Sequence, residues 1–474
     1  MTIRAPLATL SVVIVTLGFF PMDSARIARA AEPDPSTYWK VEDLRPGMKG
    51  TGRTVMVGTK LEEFGAEVLG VMKGVSPGRD MVLCRLTGCN LEHAGIIQGM
   101  SGSPITIDGK LVGAVAFAWE FAKDPIAGVT PFEQMVSYVR SSDRRVAAEA
   151  LEAGSHVSRA IPNGSVLLRD DPDVLAKARP PLPTPAGMKA IAMPVSASGF
   201  SPRALALLEQ GLRPWNMAPV AGGAATADII REEGDKPLVP GSPLGIAMVT
   251  GDFDVSGIGT VTHVEGDRVY GFGHPMLSLG ACEFPMMTGY IHTVYPRASV
   301  SMKMGSPLKV VGVLDTDVST CVAGWLGRKP DMIPMSVKVK SGRFSDPVTY
   351  HVEIVREPNL LASLVLSVLT NAIDTEGNLP EELTARMNAV VRLKDHAPIK
   401  FEDTLSGPRY TGVMGPAALF GPLGNIVNML TRNPHERLRI EAIDCEVEIA
   451  EGRKVATVES IRLRSDRLES GEEL

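Results

Sequence analysis

Aromatic side chains are scarce in this 474-residue chain, at 5%, while glycine and proline are plentiful, at 47 and 36 residues. That balance argues against a helical bundle and for a turn-rich, mainly β protein. Basic charge is not in excess either. The net charge is −6, which speaks against nucleic acid or an anionic membrane as the main partner. Histidine and cysteine do not cluster and no Cys-x-x-Cys pair occurs, so no zinc site is expected, and neither a metal nor an organic cofactor is implied. Five cysteines (Cys84, Cys89, Cys282, Cys321 and Cys445) leave at least one thiol unpaired within the chain, and the spacing of Cys84 and Cys89 permits a disulfide. Beyond the N-terminal region no apolar run is long enough to span a bilayer; Leu360–Leu369 is short and carries Ser363 and Ser367.

The N-terminus holds one apolar run. Arg4 precedes Ala5–Phe20, and Ala28-Arg29-Ala30 follows as a small-x-small cleavage pattern. Residues 1–30 are therefore expected to be a signal peptide, and the mature chain an exported protein, periplasmic or extracellular, with no stable membrane span.

The length predicts two or three domains. Residues 38–145 alternate short β-type runs with Gly/Pro turns, as at Arg53–Val57, Glu67–Met72 and Met81–Leu86, before a helix expected at 141–158. Residues 146–240 read as a Pro-rich linker and connecting segment, with Pro180-Pro181-Leu182-Pro183-Thr184-Pro185 and a helix at Pro202–Gln210. A second β block, 241–356, includes Gly245–Thr250, Ile258–His263, Arg268–Phe272, Leu308–Leu314 and Ile333–Val339. Residues 357–474 read as a C-terminal α+β accessory module, with a helix at Asn359–Ile373 and last strands at Leu438–Ile449 and Val455–Leu463. The two β blocks open alike, on Leu44-Arg45-Pro46-Gly47 and Leu238-Val239-Pro240-Gly241.

The most informative stretch is Gly99-Met100-Ser101-Gly102-Ser103-Pro104, followed by a strand, an Asp108-Gly109 turn and a second strand. A nucleophilic serine needs a tight turn that projects its hydroxyl and converges backbone N–H groups on a developing oxyanion. Gly99 and Gly102 permit such a turn, because glycine reaches positive φ cheaply. Ser101 is then the candidate nucleophile, in preference to Ser103, with the N–H groups of Gly99 and Ser101 as the oxyanion hole. The layout is that of the trypsin-like nucleophile loop. Such a serine needs a base. Of eight histidines, His274 stands out, in Tyr270-Gly271-Phe272-Gly273-His274-Pro275 at the end of an expected strand.

These two blocks resemble the SpoIVB-type serine peptidases, a family named for a stage IV sporulation protein. The first block runs from Lys60-Leu61-Glu62-Glu63-Phe64 through Gly95–Ile105 to Asp124-Pro125; the second runs from Gly257-Ile258-Gly259-Thr260-Val261-Thr262 to Gly273-His274. The resemblance implies Ser101 as nucleophile and His274 as base, narrow substrate choice and a processing or signalling role. The family places the histidine block first, so this chain looks circularly permuted. The family's aspartate ahead of the serine has no counterpart, since Leu86-Thr87-Gly88 stand there. Asp315 or Asp317 could take its place, or a backbone carbonyl could orient the imidazole of a Ser–His dyad.

The expected fold is thus a mainly β, trypsin-like double β-barrel, permuted, with the additional C-terminal α+β module. The expected activity is that of an exported serine endopeptidase acting on a protein or peptide through an acyl-enzyme. The alternative is a catalytically degenerate relative that serves as a peptide-binding or envelope-scaffold module. An esterase using the same dyad is a further rival.

Overall fold

The computed structural model describes residues 32–153, 187–215, 217–341, 346–375, 379–408, 415–456 and 458–460; the expected signal peptide and the proline cluster of the linker lie outside them. Six antiparallel strands close a barrel: β1 (Lys49–Val55), β2 (Leu61–Ser76), β3 (Arg79–Thr87), β4 (Pro104–Ile107), β5 (Lys110–Trp119) and β6 (Ile126–Pro131). They pair in the order β4-β1-β2-β3-β6-β5, and β5 returns to β4. Alternate residues of these strands point inward, so that Phe64, Val68, Val82, Cys84, Leu86, Ile105, Val115 and Val129 fill one core. The β4–β5 hairpin turns at Asp108 and Gly109, both at positive φ (50° and 76°), as a two-residue turn of primed type requires. A helix, Phe132–Ala153, leaves the barrel; it begins well before the expected 141.

The described part of the connecting segment carries regular elements. It supplies β7 (Met188–Ala190), β8 (Pro194–Ser198), a helix at Pro202–Leu212 capped by the Ser201 side chain, β9 (Ala218–Gly222) and a short helix at Ala227–Glu233.

A second sheet holds 13 strands. Six of them pair antiparallel in a ring, β10-β13-β14-β15-β12-β11 and back to β10. These are β10 (Pro243–Gly251), β11 (Asp254–Glu265), β12 (Arg268–Gly271), β13 (Gly280–Tyr295), β14 (Met302–Val318) and β15 (Cys321–Leu326). The barrel and the ring do open alike. Gly47 and Gly241 both take positive φ (86° and 97°). Each donates its N–H at 2.8 Å to a carbonyl on the second strand of its own block, Val68 and Val261.

The sheet continues past the ring through β16 (Met332–Ser341), β17 (Val348–Val355), β18 (Glu382–Leu393), β19 (Ile399–Pro408) and β20 (Ile440–Glu451). β20 runs parallel to β16, so the C-terminal α+β region extends the ring's own sheet instead of forming a separate one. It shares the ring's core as well: Ile246, Leu314, Leu364, Val368, Met387 and Val447 belong to one apolar cluster. Helix Leu361–Thr375 is buried along nearly its whole length, and its polar stripe is used inside: Asn371 and Asp374 accept from the Ser201 N–H and hydroxyl. Val455–Leu463 was expected to form a strand; its described residues form none, and the rest lie outside the described set.

All five cysteines are free thiols. Cys84 points into the barrel core, and Cys89 donates to the Glu63 carbonyl. Among the described residues no helix is long and apolar enough to cross a membrane.

Candidate active site at the junction of barrel and ring

Ser101 sits on the loop that enters β4. Gly99 and Gly102, at φ 91° and 100°, give this loop its shape. Around them the backbone bonds are taken up: Met100 N–H donates to Ile97, Gly102 N–H to Val115 and Ser103 N–H to Met100. The N–H groups of Gly99 and Ser101 have no acceptor among the described residues. They are the two donors expected to form the oxyanion hole; the N–H groups of Ile96 and Ile97 on the same loop likewise have no acceptor among the described residues.

The loop is fixed by the ring, not by its own barrel alone. Thr260 donates its N–H to the Ser101 carbonyl (2.9 Å) and its hydroxyl to Gly99 (2.8 Å), while the Thr262 hydroxyl reaches Gly102 (2.8 Å). Gly102 has no room for more: a Cβ there would lie 1.9 Å from the Thr260 carbonyl oxygen and 2.6 Å from the Phe272 nitrogen. Lys303 N–H bonds the Gln98 carbonyl and Gln98 N–H bonds Ser301. The buried Lys303 stem lies against Gly99, and its ammonium donates to Thr54 Oγ1 (2.7 Å), which also accepts from Ser103 Oγ (3.1 Å). Burial lowers the Lys303 pKa to about 7. Ser103 is therefore engaged in a polar network with Thr54 and Lys303.

His274 lies on the loop after β12, and that loop is fixed from two sides. Gly273 presses on the barrel, where a Cβ would meet Ala114 and Ala116, and its carbonyl accepts from the Thr130 hydroxyl at 2.5 Å. Phe272, at φ 67°, stacks beside the imidazole at 5.9 Å. The imidazole Nδ1 lies 2.8 Å from the Pro275 carbonyl oxygen. A carbonyl only accepts, so Nδ1 carries the proton, and in the neutral ring Nε2 is left as the acceptor. Burial depresses the His274 pKa to about 4, with a smaller contribution in the same direction from the positive charge of Arg79. The ring is neutral near pH 7 and carries a lone pair on Nε2.

Ser101 Oγ and His274 Nε2 are both buried without a hydrogen-bond partner, and they do not bond to each other in this state. A buried polar atom left unpaired costs about 1–3 kcal/mol. Two of the seven such atoms among the described residues stand on loops held together at this junction, which makes it a candidate functional site. Serine–base hydrogen bonds are often long in ligand-free enzymes and tighten when substrate binds.

The acidic candidates separate cleanly. Asp315 does not reach the histidine. It binds Arg268 at 2.6 Å, with Arg328 at 3.5 Å, and Arg268 also reaches Asp143 and the Thr316 hydroxyl. A buried guanidinium needs that partner, so Asp315 is a structural ion-pair residue rather than a triad member. Asp317 is wholly buried, and its carboxylate accepts from the N–H groups of Met276 (2.8 Å), Leu277 (2.7 Å) and Leu279 (3.2 Å). It holds the loop that begins at His274. Burial raises its pKa to about 6, against the lowering effect of those N–H bonds. The imidazole itself is oriented by a backbone carbonyl.

Sequence reasoning missed Thr260, Thr262, Lys303 and Thr130. The first two lie in the Gly257–Thr262 stretch already noted as part of the resemblance, but nothing local told that their hydroxyls face the serine loop.

A model of the family described as SpoIVB peptidase S55 matches residues 36–136, the stretch that holds the barrel and Ser101 but not His274. Neither the curated proteins nor the solved structures yield a match.

Proposed function

We propose that the chain is a serine endopeptidase whose active centre is built by two halves of one molecule: the barrel gives Ser101 and the ring gives His274. The reading is carried by one observation, the pair of buried, unpartnered atoms Ser101 Oγ and His274 Nε2 on interlocked loops. The family match over 36–136 supports peptidase chemistry at Ser101. In the proposed reaction Nε2 takes the hydroxyl proton as Oγ attacks a peptide carbonyl. The N–H groups of Gly99 and Ser101 stabilise the oxyanion, His274 returns the proton to the leaving amine, and water then releases the acyl group. Asp317 acts as a positioning residue through the loop after His274, and Pro275 sets the tautomer. The double-barrel protease architecture, the permuted order of the blocks, export behind a cleaved signal at residues 1–30, and narrow specificity belong to the same proposal. An extended peptide would bind by adding a strand beside the dyad.

The test is mass spectrometry after exhaustive reaction with a fluorophosphonate, on wild type, Ser101→Ala and His274→Ala. A single adduct on Ser101, absent from both variants, supports the dyad. An adduct on another serine would move the nucleophile away from Ser101, and none under any condition would leave the peptide-binding reading in its place.

A further inference from the structure

Ser101 is wholly buried and His274 nearly so. A peptidase in this state admits no substrate, so something on the chain stands where substrate would lie. The barrel closes with six strands and does not need β7. β7 attaches beyond the stretch of β5 that β4 uses: Phe117, Ala118 and Trp119 pair antiparallel with Ala190, Lys189 and Met188, and Ile191 N–H donates to the Ala116 carbonyl at 2.9 Å. The main chain of Ile191 lies near enough to the His274 imidazole to favour its protonated form. A few residues on, β8 pairs with β11 of the ring. The segment therefore crosses the junction from barrel to ring and passes the imidazole on its way.

Its hold on the barrel is mainly the burial of two apolar side chains. Three residues make the strand, and its one exposed ion pair, Lys189 with Glu120, contributes little. Met188 and Ile191 are its apolar plugs, at 2% and 4% exposure. A cavity of about 290 Å³, lined by Ile96, Gln98, Trp119, Ile191, Glu209 and Arg213 among others, lies along it.

We propose that residues 188–193 occupy the peptide-binding edge of β5 as an internal, displaceable strand, and that the enzyme is latent until an extended peptide with apolar residues in place of Met188 and Ile191 takes that edge. The proposal rests on the Ser101–His274 reading and names its substrate class and its regulation. Displacement exchanges one set of strand hydrogen bonds for another, so the incoming peptide needs to be favoured only by its side chains and its concentration.

Two reagents test it on the full chain. Ala118→Cys with Lys189→Cys places a thiol pair on register partners that both line the cavity along the strand, and the resulting disulfide locks the strand reversibly. Ile191→Asp expels its apolar plug. Fluorophosphonate labelling of Ser101 should be at least tenfold slower in the oxidised lock than after reduction, and at least tenfold faster in Ile191→Asp than in wild type. A synthetic peptide of residues 187–193, followed by fluorescence anisotropy, should bind Ile191→Asp and not the oxidised lock. Equal labelling rates in all forms would overturn the latent strand and leave Ser101 chemistry intact. No labelling in any form, with peptide bound only by Ile191→Asp, would uphold the strand's occupancy and sink the Ser101 reading. Neither labelling nor peptide binding would sink both. If Ile191→Asp fails to fold, the lock decides alone, by oxidised against reduced rates on one protein.

Discussion

The serine loop and the histidine loop meet at one junction but are held by different means. The serine loop takes its shape from residues within itself, two glycines at positive φ and a proline opening β4, and is then clamped by threonine hydroxyls from the ring. The histidine loop has Phe272, Gly273 and Ser278 at positive φ. Its conformation depends on Asp317, a carboxylate from the far end of β14 that gathers three N–H groups. Local geometry thus shapes the Ser101 loop, and a long-range buried carboxylate shapes the His274 loop. The two loops should fail differently when disturbed.

The largest effect is expected at Gly102, where both loops touch. Gly102→Ala sets a Cβ against ring backbone, which has no far end of a flexible side chain to yield. The loss should be roughly 2–4 kcal/mol in urea unfolding, from overpacking and from strain at positive φ. Next comes Asp317→Asn, which offers one acceptor oxygen, uncharged, to donors that now share two. We expect a loss of about 2–3 kcal/mol and at least a tenfold fall in Ser101 labelling. Asp315→Asn is the contrast that sharpens the point. It destabilises by weakening the Arg268 ion pair, yet should leave labelling within about twofold once folded protein is compared, since Asp315 acts through no atom near the imidazole.

The pH dependence separates the same two groups. His274 has a folded pKa near 4 against an ordinary 6.5, so the unfolded chain binds more protons between those values. This group therefore removes stability as the pH falls from about 6.5 to 4, by up to about 1.4 kcal/mol per pH unit. Asp317 is raised from 3.8 to about 6, takes its proton first in the folded chain, and adds stability as the pH falls through that window. From about pH 6 to 4 the two oppose each other. Urea midpoints measured from pH 7 to 4 should show His274→Gln gaining on wild type as the pH falls, whatever its stability at neutral pH. The smallest effect is expected for Thr262→Val, about 1 kcal/mol for one clamping hydrogen bond to Gly102.

The same contrast explains what was legible in the sequence. Gly99, Ser101, Gly102 and the Asp108-Gly109 turn are neighbours in the chain, and their conformational demands are written in residue type. Both were readable, and so were the mainly β character and most strands of the barrel. His274 was found by its strand-end position and its flanking glycine. Three groups stayed open as the one that orients it, Asp315, Asp317 or a backbone carbonyl, because Asp315 and Asp317 are the same residue type two positions apart. Only pairing decides that Asp315 meets Arg268 while Asp317 turns inward to the His274 loop. The C-terminal region misled for a related reason. Alternation in β18 and β20 announces strands, but not that β20 lies parallel to β16 and joins the ring's sheet. The strand at 188–190 is three residues long and carries no periodic signal at all.

The proposed chemistry needs His274 as a neutral base with a bare Nε2. Nitrogen-15 NMR of histidine-labelled protein reads this directly, with His274→Gln used to assign the resonance. The account predicts a proton on Nδ1 and none on Nε2 at pH 7, persisting as the pH falls towards about 4. A charged imidazolium at pH 7, or a ring with its proton on Nε2, would contradict it.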